Sequence, residues 1–459
     1  MDILYKFRKS IILFLKALSV LSAMAVFANT WEQSYKSASF YMKGNYVVLA
    51  VYVLMLAVFL SVFGAMKYGT ARLHDITYST CLSLFFVDFF TYFEFCLIAR
   101  EMLSPVGMIV ALILQCLFAV VYCYCINSTF YMVNRVKKVI VVSSGSESAK
   151  LFTRKMRAIE NRYAIDRGVS PEKGFEAVMS AVEDYDAVLV CDDFDKNLRD
   201  DIIKRCYSMG KKVYIQPATT DIVISDSYKL QISDAPLLVC KTRGLTKEQK
   251  LVKRFFDIVI SLIGIIISSP IMAAVAIAIK LNDGGPVLFK QNRVTENGKI
   301  FNVLKFRSMV VDADKDGAKK ATVGDDRITA VGKVIRPFRL DELPQLFNVL
   351  SGSMSLVGPR PERTENVHEY TAEHPEFILR NRVKGGLTGY AQVYGKYNTS
   401  PIDKLHLDLM YIENYSLRLD LKLLIMTFKI LFIKESTEGF DESANKNVEK
   451  PCKTEDKGE

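Results

Sequence analysis

Histidine is scarce: the 459-residue chain contains four, too few for a histidine-built metal centre. No basic run is interleaved with aromatic residues, so the net charge of +10 does not describe a nucleic-acid-binding surface. It fits a surface held against anionic lipid, or one that binds anionic substrates. Internal repeats are absent. The turn Ser143-Ser-Gly-Ser146 has one glycine where a dinucleotide fingerprint needs three, so a nucleotide site there is only weakly signalled. Asp312-Ala-Asp-Lys-Asp-Gly317 begins like a calcium loop, but the twelfth position, where the bidentate glutamate belongs, is Val323. The nine cysteines fit a reducing compartment, five of them (Cys81, Cys96, Cys116, Cys123 and Cys125) lying in apolar runs. Cys123-x-Cys125 has no partners elsewhere for a metal site.

Apolar sequence, by contrast, is abundant: half of the residues are hydrophobic. Four runs, 10–28, 46–66, 77–98 and 105–126, are each long enough to cross a hydrocarbon core as a helix. The first has basic flanks but no small-residue cleavage site, and reads as a retained helix. Lys6, Arg8 and Lys9 precede the first run, Lys67 and Arg72 separate the second from the third, and Arg135, Lys137 and Lys138 follow the fourth. This bias places the N-terminus and everything after residue 130 on the cytoplasmic side. Asp88 and Glu94 in the third run must face other helices or the interface, either as packing groups opposite a partner such as Lys16 or in a transport role.

From about 136 the pattern changes to that of a soluble α/β domain. Strand-like Val136–Ser143, helix-like 147–158, strand Ala187–Cys191, helix 194–209 and strand Lys212–Gln216 alternate, which predicts a small parallel sheet with helices on its faces. A basic connector, 241–254, leads into a fifth apolar stretch, Phe255–Ile279, interrupted by Ser268-Ser269-Pro270. Proline removes a backbone hydrogen bond and clashes with the preceding turn. Lys253 and Arg254 before the stretch are matched by Lys280, Lys290 and Arg293 after it, so both ends stay cytoplasmic. The prediction is a hairpin broken at Ser269-Pro270 that dips into one leaflet and returns, with a straight fifth span as the alternative. The chain is thus read as a membrane protein, α plus α/β: four transmembrane helices in 1–130, a Rossmann-like domain in 131–240, a mostly helical catalytic domain in 241–433 with the re-entrant element at 255–279, and a disordered tail, 434–459.

The richest segment is Leu340-Asp-Glu-Leu-Pro-Gln345. Pro344 suits a first helical turn, and Leu343, Leu346, Phe347 and Leu350 have the spacing of a buried helical face. Asp341 and Glu342 would then lie at a helix N-terminus, where the macrodipole favours ionised carboxylates and where phosphate binds readily. One reading is nucleophilic attack on phosphorus with a carboxylate-held metal; the other is that Asp341 is only an N-cap. Cations are at hand. Lys305 and Arg307 alternate along strand-like Phe301–Met309, Arg336 lies five residues before Asp341, and prolines stiffen the chain on either side of Arg360. Asp312-x-Asp314 also matches the metal-binding tripeptide of many nucleotide-sugar glycosyltransferases, or a solvated loop.

Together with Lys253-Arg-x-x-Asp257, Ser269-Pro270, Lys305-Phe-Arg-Ser-Met309, Asp326-Arg-Ile-Thr329, Ser355-Leu-Val-Gly-Pro-Arg-Pro361, Gly386-Leu-Thr-Gly389, Ala391-Gln392 and Leu419-Asp-Leu421, this segment carries a resemblance. From Lys253 to about Phe432 the chain resembles the bacterial sugar transferase family, the monotopic polyprenyl-phosphate phosphoglycosyl transferases. The four spans and α/β module in front resemble its long form. Where relatives often read Lys-Pro-Gly-Leu-Thr-Gly-Trp, this chain has Lys384-Gly-Gly-Leu-Thr-Gly-Tyr390. The resemblance implies that Asp341 attacks the β-phosphate of a UDP-sugar, galactose or glucose, and releases UMP. It implies Mg²⁺ held by Glu342 with Asp341, phosphate contacts from Lys305, Arg307, Arg336 and Arg360, and a supporting role for Asp420. Undecaprenyl phosphate would be the acceptor, in the first step of exopolysaccharide, capsule or O-antigen synthesis at the bacterial inner membrane, with the catalytic domain on its cytoplasmic face and a homodimer possible within the family. Two alternatives stand beside it: an Asp-x-Asp glycosyltransferase that releases UDP, and a membrane-anchored regulator of polysaccharide assembly.

Overall fold

The computed structural model describes residues 7–40, 43–69, 71–134, 136–157, 162–240, 244–310, 325–395 and 399–431. Asp312, Asp314 and the tail beyond 433 lie outside them. The chain divides into two compact units, one ending at Pro217 and the other beginning at Ala218.

The first unit opens with four helices, α1 (Arg8–Ser34), α2 (Gly44–Val62), α3 (Leu73–Ala99) and α4 (Val106–Val133), each long and apolar enough to cross a membrane. Aromatic packing joins them, with the Phe27 ring stacked on Tyr52 at a centroid distance of 3.9 Å. Asp88 is buried and accepts a hydrogen bond from the Tyr52 hydroxyl at 3.1 Å, which in turn accepts from Gln115 Nε2 at 3.0 Å. Lys16 is not the partner of Asp88: it donates to the Met66 carbonyl at 2.8 Å.

Beyond the helices, β1 (Lys137–Val142), α5 (Glu147–Arg157), the short strands β2 (Tyr163–Ala164) and β3 (Gly168–Val169), α6 (Phe175–Val182), β4 (Ala187–Val190), α7 (Lys196–Ser208) and β5 (Lys212–Ile215) form the α/β module. β1 is central and pairs in parallel with β2, β3 and β4, and β4 with β5. Continuous apolar runs suit strands covered on both faces, and Val139–Val142 and Ala187–Val190 are all buried. At the start of α5, where such folds seat a ligand's phosphate, Asp193 accepts hydrogen bonds from Ser143 Oγ (2.7 Å), Ser146 N (3.0 Å) and Ser144 N (3.2 Å). The seat is filled by the protein's own carboxylate.

The second unit begins with α8 (Thr219–Ser225) and an antiparallel hairpin of β6 (Tyr228–Ile232) and β7 (Ala235–Val239). The sequence grouped these with the α/β module; the structure groups them with the second unit, where Ile222 enters the core. Helix α9 (Lys247–Asp283) follows, with a Thr246/Gln249 capping box at its start and left-handed Gly284 at its end. It runs through Ser269 and Pro270 without interruption, unlike the broken hairpin predicted. Pro270 has no N–H for the carbonyl of Ile266 four residues back, but the Ser269 hydroxyl donates to that carbonyl at 2.8 Å.

Both ends of α9 are fastened to the same unit. Near its start, Lys253 pairs with Asp420, Arg254 donates to the carbonyls of Val349 (2.6 Å) and Leu350 (2.7 Å), and Asp257 accepts from Ser355 Oγ (3.1 Å). Near its end, Asp283 pairs with Arg307, and Met272, Val275 and Ile279 pack with Phe306 and Ile335. Then come the antiparallel hairpin of β8 (Leu288–Val294) and β9 (Ile300–Phe306), α10 (Ala330–Ile335), α11 (Gln345–Ser351), β10 (Ser355–Val357), α12 (Thr364–Glu373), β11 (Gly386–Thr388), α13 (Tyr390–Tyr394), α14 (Pro401–Glu413) and α15 (Leu417–Leu431). β10 and β11 pair in parallel. Their ends approach so closely that a Cβ on Gly389 would lie 2.0 Å from the Gly358 carbonyl oxygen.

Candidate active site

Asp341 and Glu342 occupy a 3-10 turn, Leu340–Glu342, entered through Arg339 in the left-handed region at φ 53°. The α-helix proper starts only at Gln345, with Pro344 as its N-cap. The buried face of α11 is also not the one predicted: Gln345, Leu346, Asn348 and Val349 are buried, whereas Phe347 is 45% exposed. Asn348 accounts for part of this. Its Oδ1 accepts from Leu304 N (2.8 Å) and its Nδ2 donates to Asn302 O (2.9 Å), which ties α11 to β9.

That tie brings Lys305 to Glu342. Lys305 Nζ donates to Glu342 Oε1 at 3.0 Å, and Arg360 Nη2 donates to the same oxygen at 2.7 Å. The Gly358–Pro361 segment that presents Arg360 is itself gripped by two further guanidiniums. Arg380 Nη2 donates to Arg360 O (2.9 Å) and Arg293 Nη1 to Pro361 O (2.8 Å). Arg380 is paired with buried Asp408 at 2.7 Å.

The two adjacent carboxylates differ. Burial would raise Glu342, but Arg360 and Lys305 outweigh it and hold this group well below the usual carboxylate range. Asp341 has no hydrogen bond among the described residues. Burial, and then the charge of Glu342, push it up to about 6 against the pull of Lys305, Arg336 and Arg360. For Asp341 desolvation is the largest effect, and it works against the preference for the ionised form expected from a helix dipole. Burial lowers Lys305, and Glu342 opposes that shift.

Arg336 ends α10 and contributes positive charge towards Asp341. Arg307 does not join the pair: strand β9 ends at Phe306, and Arg307 turns away to Asp283. Asp420 is likewise elsewhere, bonded to Lys253 and to the Tyr411 hydroxyl (2.8 Å) as an anchor of α9. Ser269 and Pro270 lie within α9, in a structural role. Sequence reasoning overlooked Arg293, Arg380, Asp408 and Gln345. One signal was legible: Asp408 stands in the apolar stripe Leu405, Leu409, Ile412 of α14, where a charge needs a buried partner.

Among the described residues no group of three or more histidines, cysteines or carboxylates could hold a metal ion. Two carboxylates with substrate phosphates do suit Mg²⁺, which keeps few protein ligands. Glu342 Oε2 and the Asp341 carboxylate accept no hydrogen bonds among the described residues and fit that donor set.

The model of a family described as bacterial sugar transferase matches residues 248–434. UDP-N-acetylgalactosamine-undecaprenyl-phosphate N-acetylgalactosaminephosphotransferase of Aeromonas hydrophila is 45% identical over 183 residues, 39% of this chain and 43% of that protein. Undecaprenyl-phosphate glucose phosphotransferase of Komagataeibacter xylinus is 35% identical over 319 residues, 64% of this chain and 58% of that protein. UDP-glucose:undecaprenyl-phosphate glucose-1-phosphate transferase of Caulobacter vibrioides is 40% identical over 189 residues, 40% of this chain and 71% of that protein. The chain spans about half the length of the first two of these relatives.

Proposed function

Because the chain belongs to the bacterial sugar transferase family, we propose that it transfers a sugar 1-phosphate from a UDP-sugar to undecaprenyl phosphate and releases UMP. The observation that carries this reading is the carboxylate of Asp341, without a hydrogen bond among the described residues, beside a Glu342 that Lys305 and Arg360 hold in place. An oxygen of Asp341 attacks the sugar-linked phosphorus, the bond to UMP breaks, and UMP leaves with that electron pair. The phosphosugar remains on Asp341 as an acyl phosphate, joined through the carboxylate oxygen that attacked. An oxygen of undecaprenyl phosphate then attacks the same phosphorus, returning Asp341 as carboxylate and giving a lipid-linked diphosphosugar. Splitting the transfer lets a soluble donor and a lipid acceptor use one site in turn.

Lys305, Arg336 and Arg360 offset the negative charge that gathers there. Glu342, with Asp341, is the proposed seat for Mg²⁺, which when bound neutralises the diphosphate. Galactose or glucose is the proposed sugar, and the step would begin exopolysaccharide, capsule or O-antigen assembly.

The site belongs at headgroup height on the cytoplasmic face of the inner membrane. Helix α9 carries exposed Phe255 (62%), Ile266 (64%) and Ile267 (71%), while both of its ends are fastened to the catalytic unit. A helix that crossed the bilayer could not return its far end to the same domain, so α9 is proposed to enter one leaflet with both ends on the cytoplasmic side, continuous but bent at Pro270. The test is intact-protein mass spectrometry after incubation with a UDP-sugar and Mg²⁺ in the absence of acceptor. A phosphosugar adduct, lost in Asp341→Asn together with UMP release, is expected. Release of UDP in place of UMP, or undiminished turnover in Asp341→Asn, would overturn the reading.

A further inference from the structure

Gln345 opens α11 four residues after Asp341, is 4% exposed, and lines a cleft with Arg293, Lys305, Arg360 and Gly386. Neither atom of its amide makes a hydrogen bond among the described residues, and Nε2 is fully buried. The neighbouring amide of Asn348, 7% exposed on the same helix, bonds at both ends. This part of the fold can satisfy a buried amide, and at Gln345 it does not. Burying an unpaired amide is unfavourable, so a ligand that pairs with it is the natural explanation.

The other donors around the cleft are partly or wholly committed. Arg293 directs Nε and Nη2 to Gln291 Oε1 (3.0 and 2.6 Å) and Nη1 to Pro361 O. Lys305 and Arg360 each give one hydrogen bond to Glu342. Gln345 is therefore a neutral donor with both N–H groups available, in a pocket that cations make attractive to an anion.

We propose that Gln345 Nε2 donates to a non-bridging oxygen of the sugar-linked phosphate while that group is carried to and from Asp341. This deepens the phosphotransfer reading above and rests on it. Charge on the phosphoryl oxygens is redistributed as the bond to UMP breaks, so a fixed donor there acts mainly in the transition state.

Gln345→Met keeps the volume and removes both the donor and the unpaired polar group. In the full-length protein, followed by UMP release from a UDP-sugar, it should lower kcat by about 100-fold with KM for the donor changed less than about threefold. The melting temperature should rise by roughly 2–4 °C, because the buried polar group is gone; Gln345→Leu should behave likewise. A purely structural glutamine would lower melting temperature and activity together, and that result overturns the proposal. So does turnover within about threefold of the unaltered protein, or a loss cured by raising Mg²⁺, which would assign the amide oxygen to the metal. Absence of UMP release and of adduct in the unaltered protein would instead remove the phosphotransfer reading, and this proposal with it.

Discussion

Asp341 and Glu342 are neighbours in sequence with opposite electrostatic fates, and the contrast predicts a pH profile. Attack requires the ionised form of Asp341, which burial and the adjacent charge disfavour until the pH passes about 6. Below that value the carboxyl is protonated, so kcat/KM should fall tenfold per pH unit on the acid side, with its limb near 6. Glu342→Gln removes the like charge and also frees Lys305 and Arg360 to act on Asp341. Both changes favour the carboxylate, so in whatever activity remains the limb should move to lower pH. A limb that stays put or moves up would exclude charge coupling within the pair. At this scale the sequence named the pair and three of its cations, Lys305, Arg336 and Arg360, because residue type and motif carry that information. It did not reveal that Arg307 and Asp420 pair with residues of α9, because those contacts lie far away in the chain.

Among the elements, α9 shows how one side chain changes what a proline does. Pro270 should have broken the helix, yet the Ser269 hydroxyl occupies the carbonyl that Pro270 leaves without a donor. Ser269→Ala should therefore destabilise the protein by about 1 kcal/mol. In a Pro270→Ala background the restored N–H reaches the same carbonyl, and the serine should become nearly neutral. A double-mutant cycle on thermal unfolding measures the difference; equal effects of Ser269→Ala in both backgrounds would show that the hydroxyl does not compensate for the proline. Strands β1, β4 and β5 of the α/β module were legible from their runs, whereas the two-residue β2 and β3 were not. The β8–β9 hairpin was not recognised, although Asn297-Gly298 marks its turn, with both residues at positive φ (58° and 74°). Flanking strands that mix polar, charged and apolar residues hide the signal, since Phe289, Lys290, Asn302 and Lys305 break any simple alternation.

At the level of the whole molecule, composition separates membrane helices, α/β module and catalytic region, but it sets the last boundary too late. Nothing local in Thr219–Ser225 says which domain the helix joins; only burial does. Ile222 is 5% exposed within the catalytic core, and Thr219 Oγ1 lies 3.0 Å from Glu376 Oε1 and 3.2 Å from His406 Nε2. Two truncations distinguish the boundaries. A protein beginning at Ala218 keeps α8 and its contacts, whereas one beginning at residue 241 exposes the surface that Ile222 covers. Burial of one isoleucine contributes roughly 1.5–3 kcal/mol, and the Thr219 hydrogen bond adds about 1 kcal/mol. The longer form should therefore melt several degrees higher in the same detergent. Both forms should release UMP from a UDP-sugar, since Asp341, Glu342, Lys305 and Arg360 are common to them, but the shorter should lose activity sooner on warming. Equal melting temperatures would show that α8 is a linker and not part of the catalytic fold.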